Sequence, residues 1–507
     1  MSTTPTTSAT NATPPHDAPS GRLGRLTRRR LGLIALVGAV LGTLVALAAG
    51  VGAPHPVGDH GDAALAARVR AQIADDRGFA SLSVAEVTPE RVTWAGLGEA
   101  SPGVPPTSGT PYPLGSITKT FNGMLLADAV RRGEVRLDQR VDTLLPGLRG
   151  SEAGGVTLEE LASHRSGLPR LLPSEMAWGA ASAFSLGNPY RLSREQLVEG
   201  AARTPLSGRG TVAYSNLGAS LLGHALAAAA DAPDWETLAR ERLWTPLGMT
   251  STREASVPQD IPAGTAVERT ASGGHPTPWT TEGQAPMGAS VWTTADDLAR
   301  YAQGVLTGRA PGMAALEPHW DASGRARVGL HWFTSEVDGR TFAWHNGGTS
   351  GGRTMLVVDR DARRAYLVLG SSTREVDDIA MGLATNGRVE SRPELPIVGL
   401  VVLGLALLTG IGAFRQAGRP ATRAQRAETL LSGTAFAILL VRVGPWTLLP
   451  GWLAGALVGA MIPALVVAGL GLVAGPHRTE GPVRTVLGWL GALVGAALLA
   501  VAASGVI

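Results

Sequence analysis

Gly115-Ser116-Ile117-Thr118-Lys119-Thr120-Phe121 is the stretch from which the rest of the chain is best read, because it holds the only lysine among 507 residues. Lys and Arg total 44, so every other basic residue of the two is Arg. Arginine has no accessible neutral form, whereas a buried lysine can lose its proton near neutrality. A chain that writes Arg everywhere else keeps a lysine where a neutral amine is wanted. The pattern after Ser116 is amphipathic, and a helix opening there puts Ser116 and Lys119 three apart on one face. A serine hydroxyl is almost entirely protonated at neutral pH and needs such a base to become a nucleophile. The helix start adds free N–H groups and a positive dipole end, which favour an oxyanion and disfavour the ammonium form of Lys119.

Two constellations downstream carry compatible chemistry. Tyr214-Ser215-Asn216 offers a phenol that can relay a proton if a neighbouring cation lowers its pKa, and an amide that can bond a lysine ammonium or a substrate. Trp344-His345-Asn346-Gly347-Gly348-Thr349-Ser350-Gly351-Gly352 ends a predicted strand in a glycine-rich turn. Its backbone N–H groups can approach a ligand closely and act as oxyanion donors, and its strand edge can hold an extended peptide-like substrate.

These motifs stand in order with Leu161-Ala162-Ser163-His164-Arg165-Ser166-Gly167-Leu168-Pro169, Thr245-Pro246-Leu247-Gly248-Met249 and Thr293-Thr294-Ala295-Asp296-Asp297-Leu298-Ala299-Arg300. Together they make residues 60–385 resemble the serine β-lactamase-related family, which spans class C β-lactamases, D-alanyl-D-alanine carboxypeptidases, D-aminopeptidases and esterases. The resemblance implies an acyl-enzyme hydrolase that uses neither metal nor cofactor. It makes Ser116 the acylated nucleophile, Lys119 and Tyr214 the proton-handling pair, and the Ser116 and Gly348 N–H groups the oxyanion hole. Asn216 would hold Lys119 or the substrate, and His345 and Gly347 would orient the substrate. Whether Lys119 or Tyr214 is the general base stays open, while His164 reads as a structural hydrogen-bonding residue. One departure matters: class C β-lactamases carry Lys-Thr-Gly where this chain has His345-Asn346-Gly347. A histidine is mostly neutral at pH 7, so anionic β-lactams are disfavoured against esters and D-amino-acid peptides.

Composition bounds what surrounds this domain. The chain is 44% hydrophobic and only 17% charged, against about 25% in a soluble globular protein. The deficit comes from apolar runs at both ends. Cysteine is absent, which excludes disulfides, thiolate catalysis and zinc–thiolate or iron–sulfur sites. A net charge of +3 is too small to suggest nucleic-acid binding.

Residues 1–30 read as a disordered tail ending in Arg22, Arg25, Arg28, Arg29 and Arg30. The uncharged run 31–53 is long enough to span a bilayer as an uncleaved anchor, which is the favoured reading. A twin-arginine-like export signal is the competing one. Either way, the basic flank places the segment that follows outside the cytoplasm. A serine hydrolase domain is expected over 58–392, and four transmembrane helices over 396–507, with spans near 396–414, 429–447, 452–475 and 485–506. Arg415, Arg419, Arg423, Arg426, Arg478 and Arg484 fall in the connections expected to be cytoplasmic.

Within 58–392, periodicity predicts helices at 62–74, 121–132, 193–202, 217–230 and 294–306. Strands are predicted at 80–86, 91–97, 342–345, 354–359 and 365–369, with a hairpin turn at 359–362. The fold class expected is α+β: an antiparallel sheet closed by the first and last segments of the domain and flanked by helices. The function expected is a multi-pass, membrane-anchored hydrolase of the cytoplasmic membrane acting outside it. Its partners would be a small-molecule or peptide substrate and the lipid bilayer. The alternative is a ligand-binding or sensory membrane protein on the same fold, whose C-terminal spans contact a further protein.

Overall fold

The computed structural model describes residues 28–387 except 323 and 325, 395–474 except 418 and 420, and 482–503. All but the last three residues of the expected tail lie outside these. A nine-stranded antiparallel sheet runs in the spatial order Asp59–Gly61, Val92–Gly98, Ser81–Val87, Arg364–Gly370, Arg353–Asp359, Arg340–Gly348, Phe333–Val337, Ala326–Val328 and Trp320–Asp321. The expected closure is present: Ala365 pairs with Val87 and Gly370 with Leu82, so an early strand lies against the last one. Asp359 shapes the hairpin turn by accepting from Ala362 N at 2.8 Å.

Alternation sorts the strand residues onto two cores, because successive side chains point to opposite faces. Leu356, Val358, Leu367 and Leu369 join a large cluster with Ile117, Phe121 and Leu221. Met355, Val357, Tyr366 and Val368 pack instead on Leu65, Val69, Ile379 and Leu383. The sheet therefore has helices on both faces. Those helices start where short polar side chains can cap them. Asp62, Ser193, Ser215 and Thr294 each accept from a backbone N–H of the helix they open. Helix Pro173–Ser185 and helix Asp377–Thr385 were not anticipated from the sequence.

Among the described residues, three helices are long and apolar enough to cross a membrane: Arg29–Ala48, Ile397–Ala417 and Trp452–Val473. Helices also stand where the other two spans are expected. Helix Arg423–Val443 starts early enough to include Arg423, Arg426 and Glu428 and ends just past Arg442, so only part of it is apolar. Helix Pro482–Ala503 covers the fourth, and its described apolar stretch is Trp489–Ala502.

The N-terminal helix packs antiparallel to helix Trp452–Ala474 through glycines. A Cβ placed on Gly38 would lie 2.3 Å from Gly459 O, and one on Gly42 would lie 2.0 Å from Gly455 O. This small-xxx-small seam lets two backbones touch. Gly399 meets Gly444, and Arg442 Nη1 donates to Ala502 O at 2.7 Å. The ends near residues 48, 397, 443, 452 and 502 therefore gather beside the sheet-bearing domain, and Arg28–Arg30, Arg415, Arg423 and Arg426 sit at the opposite ends of their helices.

Candidate active site

Ser116 lies in a single 3-10 turn, Gly115–Ile117, which runs directly into helix Thr118–Arg131. The turn carries Lys119 one helical step on, and its Nζ lies 2.8 Å from Ser116 Oγ and 2.6 Å from Met287 O. Lys119 is fully buried and has no carboxylate partner among the described residues. Burial holds the amine well below the usual lysine range, and the Arg170 guanidinium pushes the same way. Met287 carries no sequence signal, because the contact is made by a backbone carbonyl.

Tyr214 approaches Ser116 from the turn before helix Asn216–Ala229, and both side chains line the same cavity. The Arg170 guanidinium lies 5.4 Å from its ring centre and Lys119 Nζ 5.1 Å. The relay read from the sequence depends on a cation lowering the phenol. Here burial outweighs the nearby Ser116 hydroxyl and Arg170, and the pKa is raised to about 12. Tyr214 is thus a proton-carrying phenol at neutral pH. His164 stacks on it with ring centres 4.4 Å apart, and its Nδ1 accepts from Ser215 N at 3.3 Å. That geometry fits a structural role for His164.

The glycine-rich strand end is brought against the Ser116 turn. Gly115 has φ of +64°, and a Cβ there would lie 2.6 Å from Gly348 N. A Cβ on Gly347 would lie 2.3 Å from Leu114 O and 3.0 Å from Ser116 N. Only glycine fits at either position, and the close approach puts the Ser116 and Gly348 N–H groups side by side. Thr354 Oγ1 fixes the turn by donating to Leu114 O at 2.6 Å. From beneath, buried Glu268 accepts from Ser350 Oγ at 2.5 Å and Gly351 N at 2.7 Å.

These groups border a cavity of about 410 Å³ lined by Ser116, Tyr214, Asn216, Gly347 and Gly348, together with Arg170, Tyr190, Trp279 and Arg353. Asn216 Oδ1 is buried and has no hydrogen-bond partner among the described residues, Lys119 included. His345 corrects an expectation. Its ring is fully buried behind the strand, 6.3 Å from the Tyr214 ring, and it is not among the cavity-lining residues. Burial, then Lys119, lowers its pKa to about 3, so it is neutral and offers no charge to a substrate. Its neighbour Asn346 lines the cavity and donates to Asp377 Oδ2 at 2.7 Å. Arg170 escaped sequence reasoning by one position, since it follows the 161–169 stretch directly. No cluster of His, Asp or Glu suited to a metal ion occurs among the described residues.

The family model described as Beta-lactamase matches residues 65–401, about two thirds of the chain. The chain belongs to the Beta-lactamase family. Among curated relatives, the β-lactamase of Escherichia coli K12 is 28% identical over 230 residues, 45% of this chain and 56% of that protein. The chain spans about half the length of the curated relatives it matches. Among solved structures, a class C β-lactamase from Rhodobacter sphaeroides aligns with a TM-score of 0.52 at 23% identity, covering 64% of this chain and 98% of the other. A β-lactamase/D-alanine carboxypeptidase from Pseudomonas syringae aligns with a TM-score of 0.52 at 20% identity, covering 62% and 95%. At these identities the structural likeness establishes the β-lactamase fold.

Proposed function

We propose that this member of the Beta-lactamase family is a membrane-anchored serine hydrolase that cleaves ester or peptide-like amide bonds through an acyl-enzyme on Ser116. One observation carries the reading: a fully buried amine without a counter-ion, 2.8 Å from a serine hydroxyl that opens into a cavity. Burying an amine costs stability. A domain that only captured a ligand would gain nothing from that cost, which disfavours the sensory alternative.

In this mechanism neutral Lys119 takes the Ser116 proton as Oγ attacks the carbonyl carbon. The Ser116 and Gly348 N–H groups receive the developing oxyanion. Tyr214 gives its phenolic proton to the departing alkoxide or amine, and the Lys119 ammonium restores that proton. Water then attacks the acyl-enzyme with the same amine as base, and Ser116 leaves protonated. Neutral, buried His345 supplies no cation at the third motif, so a negative charge on the substrate is left to Arg170 in the cavity, and esters and D-amino-acid peptides are the proposed substrates.

Placement of the domain outside the cytoplasmic membrane, on a multi-pass anchor, is supported by the arginines at the far ends of the bundle helices. The assignment is tested by a fluorophosphonate probe and a p-nitrophenyl ester. The wild type should be labelled and turn over, Ser116→Ala should do neither, and labelling of the variant would falsify it.

A further inference from the structure

The cavity mouth is built on the membrane bundle. Its aromatic wall is Tyr190 and Trp279, whose ring centres lie 5.0 Å apart at 87°. Each ring is carried by a segment that rests on Arg442 at the bundle's domain-side end. Arg442 Nη2 donates to Ser185 O at 2.7 Å, while its Nη1 holds Ala502 O. A Cβ on Gly274 would lie 2.5 Å from Arg442 O. Ser185 and Gly274 each stand five residues from their aromatic, a reach of at most about 18 Å. The two segments are also joined directly, Thr277 N donating to Leu186 O at 2.7 Å.

The helix between the cavity and the bundle is also suited to a bilayer surface. Helix Pro173–Ser185 follows the cavity residues Arg170 and Leu171 and packs on helix Pro482–Ala503. It leaves Met176 56% and Trp178 43% exposed, with the Arg191 guanidinium 4.3 Å from the Trp178 ring centre. An exposed tryptophan with an arginine beside it suits the headgroup level of a membrane. Trp452, exposed at the start of its helix, marks the same end of the bundle. Arg170 completes the set. It is exposed at the cavity and has no carboxylate partner among the described residues, whereas Arg353 is held by Glu375 at 2.8 Å.

We propose that the cavity is fed from the bilayer: its substrate is an anionic amphiphile seated in the outer leaflet, whose headgroup ester or amide is cleaved at Ser116 while Arg170 receives the negative charge. This rests on the hydrolase reading above and names the substrate class for the same site. The tail stays in the membrane, and the Met176–Trp178 surface holds the mouth against it.

The test uses the full chain in lipid nanodiscs with two fluorogenic esters of one succinylated headgroup. One is attached to dioleoylphosphatidylethanolamine within the disc, and the other is its acetylated, water-soluble counterpart. The anchored ester should be cleaved with at least a tenfold higher kcat/KM at equal bulk concentration. Met176→Asp combined with Trp178→Asp should lower the anchored-to-soluble ratio at least fivefold, and Arg170→Gln should raise KM for both anionic esters. Cleavage of the soluble ester alone, or equal rates on the two, overturns the membrane-fed site and leaves the hydrolase standing. Absence of turnover on both esters, with no labelling of Ser116 by the fluorophosphonate, overturns the hydrolase reading itself.

Discussion

Replacing Lys119 by methionine isolates the charge of a single amine, since the chain has no second lysine to obscure the result. The native amine is fully buried against Ser116 Oγ and Met287 O, and Arg170 opposes a positive charge there. The folded state therefore disfavours the ammonium form, whereas in the unfolded chain the amine is protonated below about pH 10.4. Between the depressed folded value and about 10.4, the unfolded state binds one more proton than the native one. Stability contributed by this site accordingly rises with pH across that window, by about 1.4 kcal/mol per unit, and is flat above it. Methionine has no proton to bind. Loss of the bond to Met287 O costs about 1–3 kcal/mol, but that offset does not vary with pH. Urea unfolding of both proteins in the same detergent, at pH 7, 8 and 9, gives the difference directly, and other titrating groups cancel in it. Wild type should gain on Lys119→Met by about 1.4 kcal/mol per pH unit, while the variant loses about 10²–10⁴ in kcat/KM. A difference that stays constant from pH 7 to 9 would mean a charged native amine, unable to accept the Ser116 proton, and the base assignment would be lost.

Other consequences follow from the same geometry. Gly115→Ala forces a Cβ against Gly348 N and strains a backbone at φ of +64°, so kcat on a p-nitrophenyl ester should drop by about 10²–10³, the worth of one oxyanion donor. Unchanged turnover would remove the Ser116 and Gly348 N–H pair from the mechanism. Tyr214→Phe keeps the stacking on His164 but deletes the proton held with a pKa of about 12, and kcat should fall by about 10²–10⁴ with the melting temperature preserved. Gly42→Leu drives a side chain into Gly455 O and should cost the full chain about 1–3 kcal/mol by overpacking. An N-terminal read of the mature protein accompanies that measurement, and a protein beginning after residue 53 would show that the helix is a removed signal.

Much of the local structure was legible because it is written in short-range chemistry. The helices expected from periodicity near 62, 193, 217 and 294 all exist, and Asp62, Ser193, Ser215 and Thr294 cap them. The five strands expected in the domain all exist, but 353–359 and 364–370 are apolar and buried on both faces, so which core each face meets is decided by the fold. The strand at Arg340–Gly348 runs longer than expected at both ends. Its glycines look like a loop to any propensity argument, yet they are held in the ladder by pairing with Thr354 and Arg353. Glu428 has a similar origin: the helix begins six residues before the apolar run, so a carboxylate enters where the hydropathy pattern alone placed none.

What the sequence determined by itself was the family fold, the pairing of Ser116 with Lys119 one helical step apart, and the apolar helices at both ends. Each depends on neighbours within a few residues or on bulk hydrophobicity, which a linear string records. Only the tertiary structure decided that Lys119 is sealed from water beside Met287 O, that Tyr214 keeps its proton, and that His345 turns inward while Arg170 faces the cavity. Those outcomes are set by desolvation and by contacts between segments more than a hundred residues apart, and no residue type carries its own burial with it.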